Sequence, residues 1–295
     1  MGGLSGELLA ALQTSVSDVA GSFRIERMTP VAGGCIHRSF ILEGGGRKYF
    51  AKTNERSQFD SFAAEADGLA ALAAAGARVP APLCRGQASE HAFLVLEHLE
   101  LRGNGDYAAL GRSLAAVHSV HGETFGWHRD NYIGRTVQLN RRSASWSDFW
   151  REARIVPQLE LGRKNGFGTS LLGRGEQLVA ALPQLLSGRA PAASLVHGDL
   201  WSGNSGFLAD GTPVLFDPAV YWGDREADLA MTELFGGFPH DFYSTYAKAA
   251  PLAPGYSVRK TLYNLYHVLN HANLFGGGYA AQAERMIERL LAEVR

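Results

Sequence analysis

The segment LVHGDLWSGN, residues 195–204, sets Asp199 just past a short apolar run and Asn204 five positions later. Thirteen residues on, LFDPA places Asp217 after a second apolar run. Transfer of a phosphoryl group from ATP to an alcohol needs a carboxylate that orients the hydroxyl and takes its proton, together with oxygens that hold a divalent cation on the phosphates. Asp199 is the candidate catalytic base; Asn204 and Asp217 are the candidate magnesium ligands. A hard cation prefers oxygen donors and keeps several waters, so one carboxylate, one amide and the nucleotide phosphates suffice. Taken singly, the three residues have ordinary explanations as a turn cap, a left-handed loop residue and a loop start. Their order and spacing favour the chemical reading.

Upstream, YFAKTN carries Lys52, and Glu65 follows thirteen residues later. A strand lysine that neutralises nucleotide phosphates, held by a helix glutamate, is the expected companion of the downstream set; without that set, both residues would read as solvated surface charges. VAGGCIHRS supplies Gly33 and Gly34, whose backbone can approach phosphate oxygens without side-chain obstruction, although a plain hairpin turn explains two glycines equally well. Glu97, His98 and Leu99, which close LVLEHL after the last apolar run of this region, stand in the order expected of a hinge that meets the adenine edge.

The elements that must carry these groups fall into two textures. Residues 4–20 place Leu4, Leu8, Leu9, Leu12, Val16 and Val19 at helical spacing. From Phe23 to Asn54, short alternating runs broken by glycines predict three antiparallel strands. Residues 58–76, rich in Ala and Leu and ended by Gly76 and Pro80, predict one helix, and two more strands follow. Beyond Gly103–Gly105 helices dominate, notably 107–118, 258–275 and the closing AAQAERMIERLLAEVR, with LVHGDL and PVLFDP as short β-rich interruptions. The expected fold is α+β and bilobal, protein-kinase-like: an ATP-binding lobe over residues 1–96, a hinge at 97–103 and a mostly helical lobe over 104–295.

Composition narrows the alternatives. The 295 residues carry a formal net charge of -1, so no global field draws the chain to nucleic acid or to an anionic membrane. No stretch approaches the roughly 20 apolar residues of a membrane span, and the N-terminal segment lacks a basic, signal-like start. Two cysteines, Cys35 and Cys84, do not make a disulfide framework, which favours a cytoplasmic protein. His267 and His271 sit at i, i+4, but Val268 stands where a zinc-binding HExxH pattern needs glutamate, so they read as helix-face histidines. Trp146, Trp150, Tyr263 and Tyr266 lack an accompanying basic patch and read as packing residues.

In order, and over almost the whole chain, LVLEHL, FGWHRDNYIG, HGDLWSGN, DPAVYWGDREADLAM, LFGGF and LYNLYHVLNHANLFGGGY resemble the fructosamine kinases, or ketosamine-3-kinases, relatives of the aminoglycoside and choline kinases. The resemblance implies a bilobal fold, ATP with magnesium, and phosphorylation of the 3-hydroxyl of a sugar joined to an amine as a ketoamine, small or protein-bound. The phosphorylated product sheds its sugar, a first step of deglycation. It also implies substrate contacts at Trp201, Trp222, Asp224, Glu226 and Asp228. The plainer alternatives are that Arg225 pairs with a neighbouring carboxylate and that Asp228 anchors a helix start. The family commonly has His at the position of Asp224, Asn at that of His37 and Pro at that of Val137. Cys35, beside Gly34, is a candidate redox-sensitive thiol that could join two copies by a disulfide; the chain is otherwise expected as a monomer or homodimer. An aminoglycoside, choline or homoserine-like acceptor is the competing enzyme reading. A silent nucleotide-binding scaffold is disfavoured, because the lysine, the base and both metal ligands are all retained.

Overall fold

A computed structural model describes residues 5–32 and 36–294. Ser5 caps the first helix, α1 (Gly6–Ala20), by accepting from the Leu8 amide at 3.2 Å. Five strands, β1 (Arg27–Val31), β2 (Arg38–Gly44), β3 (Arg47–Glu55), β4 (Pro82–Ala88) and β5 (His91–Glu97), form one sheet in the order β1-β2-β3-β5-β4 with every neighbouring pair antiparallel. The two-residue period of a strand divides β5 between two cores: Phe93 and Val95 join Leu8, Leu12 and Val16 of α1, whereas Leu94 and Leu96 join Phe62, Leu69 and Leu72 of α2 (Phe59–Ala74). On β3, Ala51 takes the α1 side, so Lys52 next to it turns toward α2.

Past Glu97 the chain becomes mostly helical. Asp106 caps α3 (Tyr107–His118) through the Ala109 amide at 2.8 Å. A hairpin of β6 (Asn131–Ile133) and β7 (Thr136–Gln138) follows. Then α4 (Trp146–Trp150) runs through a π turn at Arg151–Ile155 into α5 (Val156–Lys164), and α6 (Thr169–Leu185) comes next. Two small antiparallel pairs, β8 (Ser194–Val196) with β11 (Tyr221–Gly223) and β9 (Ser205–Phe207) with β10 (Pro213–Leu215), bracket the catalytic segment. The helices α7 (Glu226–Leu234), α8 (His240–Ala249), α9 (Tyr256–Phe275) and α10 (Tyr279–Ala292) complete the fold.

The strands and helices expected on either side of Lys52, the 107–118 helix and the C-terminal helices are present, their ends moved by a few residues. Trp146, Trp150, Tyr263 and Tyr266 are buried together in the helical core, with Trp146 Nε1 donating to the Tyr263 hydroxyl at 2.9 Å. Among the described residues no helix is long and apolar enough to cross a membrane.

Candidate active site

The catalytic segment leaves β8 at Val196 and turns at Gly198, whose φ is +83°. A Cβ there would lie 2.0 Å from the Ala219 carbonyl oxygen, so both backbone conformation and space demand glycine. The His197 carbonyl accepts from the Ala219 amide at 2.8 Å, which ties this turn to the loop after Asp217. The His197 ring is fixed as one tautomer: Nε2 lies 3.0 Å from the Phe216 carbonyl oxygen and must donate, while Nδ1 accepts from the Asp199 amide at 3.3 Å. Burial lowers the His197 pKa, consistent with this neutral form.

Asn204 Nδ2 donates to the Asp199 carbonyl oxygen at 2.8 Å and to Oδ2 at 3.1 Å, so the five-residue spacing closes a small ring at the Asp199 carboxylate. Because the amide nitrogen is spent on Asp199, Asn204 Oδ1 remains to act as a ligand oxygen. Burial pushes Asp199 up to about 7, helped by the charge of Asp217 and opposed by the Asn204 hydrogen bond. A carboxylate poised near neutrality is suited to general-base work.

Lys52 Nζ lies 2.6 Å from Glu65 Oε1 and also bonds Asp217 Oδ1, bringing together groups from β3, α2 and the second loop. Burial alone would discharge the ammonium, but Asp217 first and Glu65 next hold its pKa above the ordinary value. Burial likewise opposes the charged form of Asp217, yet the charge and hydrogen bond of Lys52 outweigh it and keep that carboxyl low. Asp217 has φ +56°, rare for a residue with a side chain, and such strain persists where surrounding structure imposes it. A carboxylate and an amide oxygen fit a hard divalent cation.

These residues open on a cavity of about 680 Å³. Its wall includes the polar His37, Lys52, Glu65, Asp199, Asn204 and Asp217 together with Trp201, Met231, Phe235, Asn270, His271 and Phe275. His37 is bonded to Asn54 at 2.9 Å, and burial followed by the Lys52 charge lowers it to about 4, so it enters the cavity wall uncharged. Sequence reasoning missed most of the aromatic wall and His267, whose buried Nδ1 lies 3.9 Å from Asp199 Oδ1 and has no hydrogen-bond partner among the described residues. Burial lowers His267 to about 3. One signal was available: Asn264, His267, Asn270 and His271 fall on one face of a helix whose neighbours are apolar, and polar residues at core positions call for a reason.

Other expected site residues go elsewhere. Trp201 lines the cavity, but Trp222 does not: its ring lies against Gly122 and packs on Trp127 at 5.3 Å. Direct substrate contact is corrected for the acidic run as well. Asp224 is fully buried, receives Arg189 on both oxygens at 2.6 and 2.7 Å, and accepts from Tyr263 at 2.8 Å. Glu226, also fully buried, is clasped by Arg259 at 2.6 and 3.0 Å. Asp228 accepts from the His197 and Gly198 amides at 2.6 and 2.8 Å and faces His118 Nε2 at 3.0 Å. It grips the catalytic turn from beneath. Burial opposes its ionisation, but His118, the nearby His197 ring and the Gly198 amide hold its pKa below the ordinary value.

At the strand end, Glu97 is engaged by Arg78 at 2.5 and 2.8 Å, and its amide donates to the Ala81 carbonyl oxygen; His98 and Leu99 are half-buried. Gly33, Gly34 and Cys35 lie outside the described residues. Of the three family departures, Val137 is half exposed on β7.

The fructosamine kinase family model matches residues 9–293. A probable ketoamine kinase of Synechocystis sp. is 49% identical over 281 residues, 94% of each chain. A chloroplastic protein-ribulosamine 3-kinase of Oryza sativa subsp. indica is 37% identical over 273 residues, 91% of this chain and 80% of the other. Among solved structures, a protein of Haemophilus somnus 129PT assigned as a fructosamine-3-kinase superposes with a TM-score of 0.87 at 31% identity, covering 95% of this chain and 96% of that one. An aminoglycoside phosphotransferase solved with ADP and hygromycin B shares the fold with a TM-score of 0.64 at 17% identity, over 96% and 98% of the two chains. With the kinase constellation assembled around Asp199, and with likeness that runs from end to end, the chain belongs to the fructosamine kinase family.

Proposed function

We propose that this kinase transfers the γ-phosphoryl group of ATP to the 3-hydroxyl of ketosamines, free or protein-bound, and so begins removal of the sugar from a glycated amine. The observation that carries the reading is Asp199, poised near neutrality at the wall of a cavity that also holds Lys52, Asn204 and Asp217. In this reading Asp199 takes the proton of the acceptor hydroxyl as its oxygen bonds to the γ-phosphorus. The bond from that phosphorus to the β,γ-bridging oxygen breaks, and ADP leaves with the electron pair. Lys52 lies against the phosphates, positioned by Glu65. Asn204 and Asp217 would hold magnesium, which when bound neutralises phosphate charge. Glu97, His98 and Leu99 would meet the adenine edge. Trp201, Phe235 and His271, whose rings succeed one another at 5.9 and 5.1 Å, form an apolar wall suited to the carbon face of a sugar. The names of the ketoamine and ribulosamine kinase relatives support the acceptor class.

The test is ADP release with ATP and magnesium on ribuloselysine, fructoselysine, kanamycin and choline, with Asp199→Ala as the blank. Turnover of the ketosamines alone, lost in the variant and accompanied by a 3-phosphate in the product's NMR spectrum, is expected. Turnover of kanamycin or choline alone would keep the transfer chemistry and overturn the deglycation role.

A further inference from the structure

The segment FGWHRDNYIG, which lends Asn131, Tyr132, Ile133 and Gly134 to the cavity wall, bonds both the helix that carries Glu65 and the chain that follows Asp217. On one side it grips α2, the helix that carries Glu65. Trp127 Nε1 donates to Asp67 Oδ2 at 2.7 Å, and His128 Nε2 lies 3.2 Å from Asp67 Oδ1. One and a half to two turns away, Arg129 donates to Asp60 Oδ1 at 2.6 Å and the Tyr132 hydroxyl to Oδ2 at 3.2 Å. Glu65 falls between these two anchors along the helix, so α2 is fastened on both sides of the residue that pairs with Lys52.

On the other side the same segment holds the chain just beyond Asp217. Asn131 Nδ2 donates to the Val220 carbonyl oxygen at 2.7 Å, and Gln138 Nε2 donates to that of Ala219 at 3.0 Å and to Asn131 Oδ1 at 2.7 Å. Both amide side chains are buried, so breaking these bonds would strand polar groups away from water. The base of the segment is itself secured: Gly126 and Trp222 exchange both backbone hydrogen bonds, and the buried Arg154 donates to the Leu139 carbonyl oxygen at 2.6 Å. Helix and loop also touch directly, since a Cβ on Gly68 would lie 3.1 Å from Pro218 Cγ.

We propose that residues 127–138 act as a positioning strap that keeps Glu65 and Asp217 on Lys52 at once, with Asp67 as its main anchor on the nucleotide-binding side. In kinases whose helix glutamate moves, formation of the lysine–glutamate pair is a switch; here that helix is fastened by the same segment that fixes the metal loop. The anchors are not equal. The His128–Asp67 and Arg129–Asp60 pairs are solvent-exposed on at least one partner and contribute little. The Trp127 bond to the Asp67 carboxylate is charge-assisted and is the strong one. The proposal rests on Lys52 being the phosphate-binding lysine, but not on which acceptor is used.

The test compares Asp67→Ala, Asp67→Asn and Trp127→Phe. Asparagine retains an oxygen to accept from Trp127, and phenylalanine keeps the ring packing while losing the donor. Dissociation constants for a non-hydrolysable ATP analogue with magnesium should rise about tenfold in Asp67→Ala and Trp127→Phe, the scale of one charge-assisted hydrogen bond, and by about threefold in Asp67→Asn, which keeps the bond but not its charge. KM for ATP should rise in parallel while KM for the acceptor stays within about twofold. Unchanged nucleotide affinity in Trp127→Phe, an equal rise in both KM values, or an asparagine variant as weak as the alanine one would overturn the strap. Because nucleotide affinity is read without turnover, a mistaken acceptor class leaves this test intact.

Discussion

Asp199→Asn should abolish turnover and yet make the protein more stable at neutral and alkaline pH. The folded chain holds the Asp199 carboxyl from its ordinary 3.8 up to about 7, chiefly by burial, so folding favours the protonated form. The sign follows from linkage: stability associated with that proton is fully present below the unfolded value and is lost as pH rises through the folded one. The roughly three pH decades between the two values correspond to a ceiling of about 4 kcal/mol at 1.36 kcal/mol per decade. A quarter of the side chain is exposed, and solvent relaxation reduces the cost, so about 2 kcal/mol is the working expectation. Asparagine is uncharged at every pH and can still accept from Asn204, so it escapes this loss. Thermal melts of both proteins, without nucleotide or metal, from pH 5 to 8.5 provide the assay. The variant's advantage should grow between pH 5 and 7, reach about 4 °C and then level off, at roughly 2–4 °C per kcal/mol for a chain of this size. A constant offset, or an advantage that shrinks as pH rises, would refute the burial account of the base.

The same titration predicts that kcat/KM for ATP, which reports the free enzyme, falls as pH drops below about 7 because the base must be ionised; a flat profile from pH 5.5 to 8 would contradict this role for Asp199. Asp228→Ala should cost about 3 kcal/mol or more in urea denaturation, since it strands the His197 and Gly198 amides and His118 in the core, and kcat should fall as the catalytic turn loosens. A loss under 1 kcal/mol in that variant would show that water replaces the carboxylate, at odds with its near-complete burial.

Legibility in the sequence followed the range of the interactions. Asp199 and Asn204 bond each other across five residues, and Lys52 and Glu65 sit on a strand and the next helix, so local pattern and spacing sufficed to pair them. The alternating runs that flank Lys52 announced the sheet for the same reason. The partners of the acidic run could not be read this way. Asp224 meets Arg189 from 35 positions away, Glu226 meets Arg259 from 33, and Asp228 meets His118 from 110. A carboxylate in the first turn of a helix looks alike whether it faces a sugar, water or a buried guanidinium; only the packing of α3, α7 and α9 decides. Trp222 misled for a related reason, because a tryptophan beside a catalytic segment can line a cavity or wedge a neighbouring loop, and its contact with Trp127 lies 95 positions away.

Once these carboxylates are placed, the family departure at position 224 takes on a different meaning. As a substrate contact, aspartate in place of the usual histidine would alter acceptor preference. Held beneath the site, it does something else: it receives a bidentate Arg189 and the Tyr263 hydroxyl, and its oxygen caps the Glu226 amide at 3.1 Å. A histidine there could not accept two parallel donors from a guanidinium, so in this chain the aspartate and Arg189 act as a pair. α7 then emerges as the hub under the chemistry. Asp224, just before it, and Glu226 and Asp228, in its first turn, reach Arg189, Arg259 and the backbone of the Gly198 turn, and each is buried against a partner, so removing one partner leaves a charge with no water to receive it. Trp201, Phe235 and His271, by contrast, line the cavity, so under the proposed function acceptor preference is read there rather than at position 224.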